Sequence, residues 1–158
     1  MNFRVTYLAN QATAAQIGDH LARCDSQFVP VLSGRVDIAE YARKIASSAS
    51  RWEAWSGDTL VGLVAVYGND QERRTAYVTS VSVLEKWTGK GIATTLMRSA
   101  VAYSKLQGHR RISLEVAREH RSAIHLYEKC GFSVGEGNGP FVGMSLDVAT
   151  GEKDEHLA

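Results

Sequence analysis

The hydrophobic and polar residues of this chain change their period several times, and each change marks a new element. In residues 75–84, Thr79, Val81 and Val83 alternate with Ser80 and Ser82, the pattern of a strand. From Ile92 to Tyr103 the apolar side chains recur every three or four residues, which is the period of one helix face. The pattern therefore predicts a strand, a short turn and a helix in direct succession.

The same patterns along the chain predict the order β-α-α-β-β-β-α-β-α-β-β, an α/β fold in which helices flank a mixed central sheet. The predicted strands are residues 3–8, 51–56, 59–69, 75–84, 111–116, 132–134 and 141–148. The predicted helices are residues 12–23, 37–48, 91–107 and 122–130. Residues 28–34 contain Pro30 and Gly34 and are predicted to form an ordered loop or a short extended segment. We expect one domain over residues 1–148 and a mobile tail over residues 149–158.

Two glycines punctuate the turn between the strand and the long helix. Gly89 and Gly91 permit a tight backbone, and the first N–H groups of a helix have no partner within it. Together with the helix dipole, these donors form a natural seat for a pyrophosphate. On this stretch alone, a purely structural turn accounts for the two glycines equally well.

The residues around the turn carry a more specific pattern. The segment KWTGKGIA, residues 86–93, resembles the pyrophosphate-binding signature (Arg/Gln)-x-x-Gly-x-(Gly/Ala) of the GCN5-related N-acetyltransferase (GNAT) family. Gly91 and Ala93 occupy its two small positions, and Thr88 departs from it at the Arg/Gln position. LEV at residues 114–116 and AIHLYEKCGF at residues 123–132 resemble the next strand and helix of the family. The resemblance is strong over residues 74–132 and moderate over residues 51–148.

The resemblance implies a GNAT-like fold and acetyl-CoA as cosubstrate, with no metal. It also implies that the strands ending near Val83 and Val116 splay apart to form a slot for the pantetheine arm. The backbone of residues 81–83 is expected to pair with the pantetheine amides like an added strand. The residues expected to contact the cofactor are Val81, Ser82, Val83, Thr88, Gly89, Lys90, Gly91, Ile92, Ala93, Thr94, His120 and Tyr127.

Acetyl transfer to an amine needs an uncharged nucleophile, donors for the tetrahedral oxyanion and an acid for the leaving thiolate. Neither a metal nor a covalent intermediate is required if the amine and the thioester are held together. The resemblance assigns the acid to Tyr127, whose position matches the family's tyrosine near the thioester sulfur. From helical spacing alone, Tyr127 would be interpreted as a core aromatic residue.

The general base has three candidates. Glu115 matches the glutamate that acts as base, usually through water, in ribosomal-protein acetyltransferases of the family. His120 stands where the family often has asparagine, and it could bind the cofactor or accept a proton. Tyr77 lies on the strand where other members carry their base. A solvated strand carboxylate and a helix-entry histidine remain the structural alternatives for Glu115 and His120.

Composition excludes several classes of protein. The net charge of +1 provides no field that would attract nucleic acid or an acidic membrane. No apolar run approaches the ~20 residues of a membrane span. Cys24 and Cys130 form neither a disulfide framework nor a metal cluster, so we expect reduced thiols and a cytoplasmic protein.

The acceptor site is expected between the two N-terminal helices, the segment 28–36 and the hairpin near Phe141. The sequence predicts an acetyl-CoA-dependent N-acetyltransferase acting on a primary amine of a small molecule. The segment FVPVLSGRV, residues 28–36, loosely resembles acetyltransferases of amino-sugars in surface-polysaccharide pathways, so an amino-sugar is one candidate acceptor. The alternatives are a protein or peptide N-acetyltransferase and a non-catalytic acyl-CoA sensor. Family analogy adds a homodimer as a further expectation.

Overall fold

The computed structural model describes residues 4–70, 72, 74–137 and 139–148. Its centre is a seven-stranded sheet in the order β1-β2-β3-β4-β5-β7-β6. The strands are β1 (Thr6–Ala9), β2 (Ser50–Ser56), β3 (Thr59–Asp70), β4 (Thr75–Val83), β5 (Arg111–Ala117), β6 (Ser133–Val134) and β7 (Phe141–Asp147). The helices are α1 (Ala14–Cys24), α2 (Ile38–Ser48), α3 (Ile92–Leu106) and α4 (Arg121–Lys129). The predicted order of elements is confirmed, and the bounds differ by a few residues.

Helices cover both faces of the sheet because the strands alternate their side chains between two cores. On β3, Leu63 and Ala65 pack with residues of α1 and α2. The residues that follow them, Val64 and Val66, point to the other face and pack with residues of α3 and α4. Each face is apolar where a helix covers it, so both layers are held by hydrophobic burial.

Strands β4 and β5 are parallel neighbours that separate along their length. Their register runs only from Thr75 opposite Arg111 to Tyr77 opposite Ser113. Both strands continue beyond that point, and β4 remains paired with β3 on its other edge as far as Val83. Within the described residues, the edge of β4 that faces β5 therefore has no partner strand beyond Tyr77.

A bulge in β4 changes which face its side chains occupy. Val78 lies opposite Val66, whereas Ser80 lies opposite Ala65, so Thr79 is an extra residue in the ladder. After the bulge, Ser80 and its neighbour Ser82 share the face of α1 and α2. Beyond the bulge, Ser80 and Ser82 alternate with Val81 and Val83 as in the sequence pattern, and the inserted residue reverses the phase of this alternation relative to residues 75–78.

The segment after α1 is more helical than predicted. Two short 3-10 turns, Asp25–Gln27 and Leu32–Gly34, flank a cis peptide bond between Val29 and Pro30. Pro30 and Gly34 thus mark an ordered loop and not an extended segment. The expected tail at residues 149–158 lies outside the described residues, as does Phe3 of the first predicted strand. No described helix has the length and apolar character required to cross a membrane.

Candidate functional site

The turn before α3 exposes backbone donors to a cavity. Gly89 and Gly91 have φ angles of 77° and 82°, in the left-handed region that favours glycine. Gly91 is the N-cap residue of α3, and no side chain caps the helix there. A cavity of about 420 Å³ lies over this end of the helix. Its lining includes Thr88, Gly89, Gly91, Ile92, Ala93 and Thr94. We call it the turn cavity.

Thr88 makes its hydrogen bond locally. Its hydroxyl donates to the carbonyl of Glu85 at 2.8 Å and closes the 3-10 turn Glu85–Trp87. The side chain that replaces the family's Arg or Gln therefore stabilises the turn. Lys90, in the same turn, is exposed. The backbone N–H groups at the start of α3 and Lys129, which also lines the turn cavity, are the candidate anion-binding groups there.

A second cavity of about 260 Å³ continues from the first, because Val83, Thr88 and Ala93 line both. We call it the slot. It runs along the part of β4 that β5 has left, and α4 forms its other wall. The residues that line it from these elements include Val81, Ser82, Val83, Ala123, Leu126 and Tyr127.

A third cavity of about 480 Å³ adjoins the slot, with Val81, His120 and Tyr127 in both linings. We call it the acceptor cavity, because the predicted acceptor elements surround it. Phe28, Leu32 and Tyr41 from these elements line it together with Phe141. The three cavities form one continuous series from the start of α3 to the N-terminal helices.

Tyr127 lies at the junction of the slot and the acceptor cavity. Its side chain is buried, and the ring lies 6.3 Å from that of Phe132. Burial raises the pKa of the Tyr127 hydroxyl to about 12. The hydroxyl is therefore protonated at neutral pH and can donate a hydrogen bond or a proton.

All three candidates for the base line the acceptor cavity. His120 is the N-cap residue of α4, where its side chain makes no capping bond, and it also lines the slot. Glu115 is exposed on β5. Burial raises the pKa of Tyr77, and the charge of Glu115 raises it further. The structure thus brings Tyr127, His120, Glu115 and Tyr77 around one cavity, and their catalytic roles remain predictions.

One polar cluster at the slot is absent from the predictions made on sequence. His20 on α1 is 1% exposed and donates from Nδ1 to the carbonyl of Leu60 at 2.9 Å. Its Nε2 lies 2.8 Å from Ser82 Oγ, so the unprotonated nitrogen accepts from that hydroxyl. Desolvation by burial lowers the pKa of His20 to about 4. The sequence feature that could have indicated this cluster is the position of His20 on the apolar face of α1, between Ile17 and Cys24.

The bulge of β4 forms a second polar group that the sequence did not reveal. The hydroxyl of Tyr41 donates to the carbonyl of Thr79 at 2.7 Å and lies equally close to its side-chain oxygen. Ser80, the next residue, is 5% exposed, and its hydroxyl has no hydrogen-bond partner among the described residues. Both serine and tyrosine line the acceptor cavity.

A buried ion pair fixes the N-terminal layer on which the acceptor cavity depends. Arg51 Nε and Glu53 Oε2 on β2 are 3.2 Å apart, and Glu53 is fully buried. The Glu53 carboxylate also accepts from the backbone of Gln11 and Ala12 and from Nε1 of Trp55. The bonds from Gln11 and Ala12 join β2 to the segment that precedes α1.

No group of three or more His, Cys, Asp or Glu side chains that could hold a metal ion occurs in the part of the chain that the structure describes.

Comparison with known proteins identifies the family. Residues 15–132 match the sequence profile described as the acetyltransferase (GNAT) family. A mycothiol acetyltransferase from Corynebacterium efficiens is 38% identical over 82 residues, covering 52% of this chain and 27% of that protein. A spermidine N(1)-acetyltransferase from Vibrio cholerae is 39% identical over 74 residues, covering 46% of this chain and 42% of that protein. The chain thus spans less than half the length of these curated relatives.

Solved structures share the fold at low sequence identity. The ribosomal-protein-S18-alanine N-acetyltransferase of Escherichia coli superposes with a TM-score of 0.73 at 14% identity, covering 92% of this chain and 94% of that one. A Bacillus subtilis acetyltransferase in complex with CoA gives a TM-score of 0.69 at 17% identity, covering 91% of this chain and 99% of that one.

Proposed function

The chain belongs to the GNAT family of acetyltransferases, and from this premise we propose that it transfers the acetyl group of acetyl-CoA directly to a primary amine of a small molecule. The observation that carries the proposal is the series of three cavities with Tyr127 at the junction of the last two. A CoA ester needs an anion site, a narrow slot and a separate space for the nucleophile, in that order. The cavities provide these three features in that order.

We assign the anion site to the backbone N–H groups of residues 88–94, at the start of α3. The unpaired edge of β4 at Val81, Ser82 and Val83 offers amide partners to the pantetheine arm. The buried hydroxyl of Ser82 donates to His20, which fixes this strand against α1. Family neighbours solved with CoA support acetyl-CoA as the cosubstrate.

In the proposed reaction, the uncharged amine attacks the thioester carbonyl and the C–S bond then breaks. Tyr127, whose hydroxyl is protonated at neutral pH, donates its proton to the departing thiolate. The proton lost by the amine passes to a base that lines the same cavity. Glu115, through water, and His120 are the two leading candidates for that base.

The acceptor is proposed as a small molecule because mycothiol and spermidine acetyltransferases are among the relatives. An amino-sugar remains a candidate within that class. The structural likeness to a ribosomal-protein acetyltransferase keeps a protein or peptide acceptor as the second candidate. A non-catalytic acyl-CoA sensor is the third, and the buried tyrosine at the junction argues against it.

Residues 1–148 are proposed as one acetyltransferase domain. We further propose a cytoplasmic protein, because Cys24 and Cys130 are both free thiols, as expected in a reducing compartment. A homodimer is retained as a proposal from family analogy, and sedimentation would test it.

The proposed function is tested by CoA release from acetyl-CoA with amino acids, amino-sugars, polyamines and peptides as acceptors. We expect release with one class of small amine. Tyr127→Phe should lower kcat by about 10²- to 10⁴-fold, the usual contribution of a general acid, and leave acetyl-CoA binding intact. Tyr7→Phe, a change at an exposed tyrosine on β1, is the matched control and should leave kcat unchanged.

Two results would contradict the proposal. Unchanged turnover in Tyr127→Phe would remove the acid role. Binding of acetyl-CoA without release by any amine class would favour the sensor over the enzyme.

A further inference from the structure

The acceptor cavity has an apolar wall and two isolated opposite charges. Phe28, Val29, Leu32, Val36 and Phe141 supply much of the apolar surface. Among the described residues that line it, Glu115 is the single carboxylate and Arg35 is the single guanidinium. Apart from His120, the lining therefore carries one positive and one negative charge.

Both charges act on Tyr77, a third residue of the cavity lining. Tyr77 lies close enough to both that Glu115 raises its pKa and Arg35 lowers it, in addition to the larger effect of burial. Neither Glu115 nor Arg35 forms an ion pair within the part of the chain that the structure describes. Each charge is therefore available to a ligand.

The loop that carries Arg35 is ordered by its own hydrogen bonds. Asp25 accepts from the backbone N–H and from the hydroxyl of Ser33, both at 2.7 Å. The backbone N–H of Arg35 donates to Leu32, whose side chain is buried. The backbone of Arg35 is therefore held beside the cavity, so that only its side chain has to be ordered when it binds a ligand.

We propose that the acceptor is a free α-amino acid with an apolar side chain, whose carboxylate binds Arg35 and whose amino group lies beside Glu115. The proposal rests on the acetyltransferase function above and narrows its substrate class. An α-amino acid carries an amino group and a carboxylate on neighbouring atoms. The cavity offers one partner for each, Glu115 and Arg35, and both partners lie near Tyr77. The apolar wall then receives the side chain.

The other acceptor classes fit this lining less well. A polyamine keeps further cations that need carboxylates, and the described lining offers only Glu115. A peptide N-terminus has an amide in place of the carboxylate, which leaves Arg35 without its partner. An amino-sugar without an acidic group has no apolar side chain to place against the apolar wall.

The test compares acids with their amides. We would measure kcat/KM for L-leucine and L-phenylalanine and for the matching amides, and form the ratio of acid to amide for each enzyme. An acid and its amide differ in the pKa of the amino group, but this difference is the same for every enzyme variant. A change in the ratio from one variant to another therefore does not arise from it. Arg35→Gln should lower the ratio about tenfold or more, since a hydrogen bond to a charged group has been removed. Arg35→Lys should recover part of the loss.

Arg43→Gln is the matched control, because Arg43 is an exposed arginine of α2 outside the cavity lining. It should leave the ratio unchanged. A ratio unaffected by Arg35→Gln, or acetylation of amino-sugars, polyamines or peptides with none of the amino acids, would overturn this inference and leave the acetyltransferase function standing. Absence of CoA release with every class would overturn both.

Discussion

The turn cavity and the acceptor cavity are built in different ways. At the turn, the proposed anion-binding groups are backbone N–H groups, and two glycines with positive φ angles provide their geometry. At the acceptor cavity, the proposed ligand-binding groups are side chains from α2, β4, β5, β7 and the loop after α1. The proposed anion site depends on a few consecutive residues, and the acceptor cavity depends on the packing of distant segments.

This difference has consequences for tolerance to change. A site made of backbone groups accepts many side chains, as Thr88 shows at a position where the family has Arg or Gln. A site made of converging side chains fails when any one supporting element moves. The N-terminal layer should therefore be the more sensitive half, and the following predictions test that comparison from the largest effect to the smallest.

Glu53→Gln should lower the free energy of unfolding by about 3–5 kcal/mol. The change leaves Arg51 as a buried charge without its partner and places an amide against backbone donors. Urea denaturation would measure the loss. The matched control is Asp147→Asn, which removes an exposed ion pair with Arg111 and should cost less than about 1 kcal/mol. Similar losses in the two variants would contradict a special role for the buried pair.

His20 should make stability depend on pH. Its pKa is about 4 in the folded protein and 6.5 when unperturbed, so the unfolded chain binds the proton first. The contribution is fully present above pH 6.5 and is lost as the pH falls towards 4. A difference of this size corresponds to about 3 kcal/mol. Asp19 and Arg23 are the nearby charges, with smaller and opposing effects.

The measurement is the free energy of unfolding from pH 7.5 to pH 4 for the wild type and for His20→Gln, which does not titrate there. The loss attributed to His20 should disappear in that variant. His125→Gln, at an exposed histidine of α4, should retain the wild-type pH dependence. Parallel curves for the wild type and His20→Gln would rule out the assignment.

Two glycine substitutions, one on β3 against α3 and one in α1, should change the free energy of unfolding in opposite directions. A Cβ at Gly62 would lie 2.8 Å from Ile92 Cγ2, so Gly62→Ala should force β3 and α3 apart at a cost of about 1–3 kcal/mol. A Cβ at Gly18 would lie 3.6 Å from Ala42, an ordinary contact. Gly18→Ala in α1 should therefore stabilise the protein by up to about 1 kcal/mol. Thermal melting of both variants would detect the opposite signs, and the same sign in both would contradict the packing argument.

Thr88→Arg should produce the smallest change. A cation at this position can approach the phosphates of acetyl-CoA, and we expect about a threefold lower Kd, comparable with an exposed ion pair. Titration calorimetry at low and high salt would measure it, because the gain should shrink as salt screens the charge. Ser99→Arg adds the same charge on an exposed part of α3 and serves as the control. A gain that persists at high salt would argue against the electrostatic explanation.

The sequence predicted the order of elements and the anion-binding turn because both depend on local patterns. Glycine positions, period changes and the family signature around residues 86–93 are readable over a few residues. Tyr127 was assigned through the same kind of local pattern, and the structure places it at the junction of two cavities. The roles of Glu115, His120 and Tyr77 were left open by the sequence, and the structure groups them without choosing among them.

Other features required the folded chain. The bulge at Thr79 redirects Ser80 and Ser82, and one inserted residue leaves no mark in the strand pattern. His20 has no counterpart in a local motif, since its partners, Leu60 and Ser82, lie 40 and 62 residues away. The proximity of Arg35 and Glu115 to Tyr77 arises because a loop and two strands meet at one cavity.

By itself, the sequence determined the fold class through hydrophobic period and the family through local motifs, and it predicted an anion site at the start of α3, because all of these patterns act over short distances. The tertiary structure decided where β4 and β5 separate, which side chains surround the acceptor cavity and which of them are buried without charge. These features depend on contacts between residues far apart in the chain. Burial and convergence, which determine the pKa values and the ligand chemistry of the site, exist only after the layers have packed.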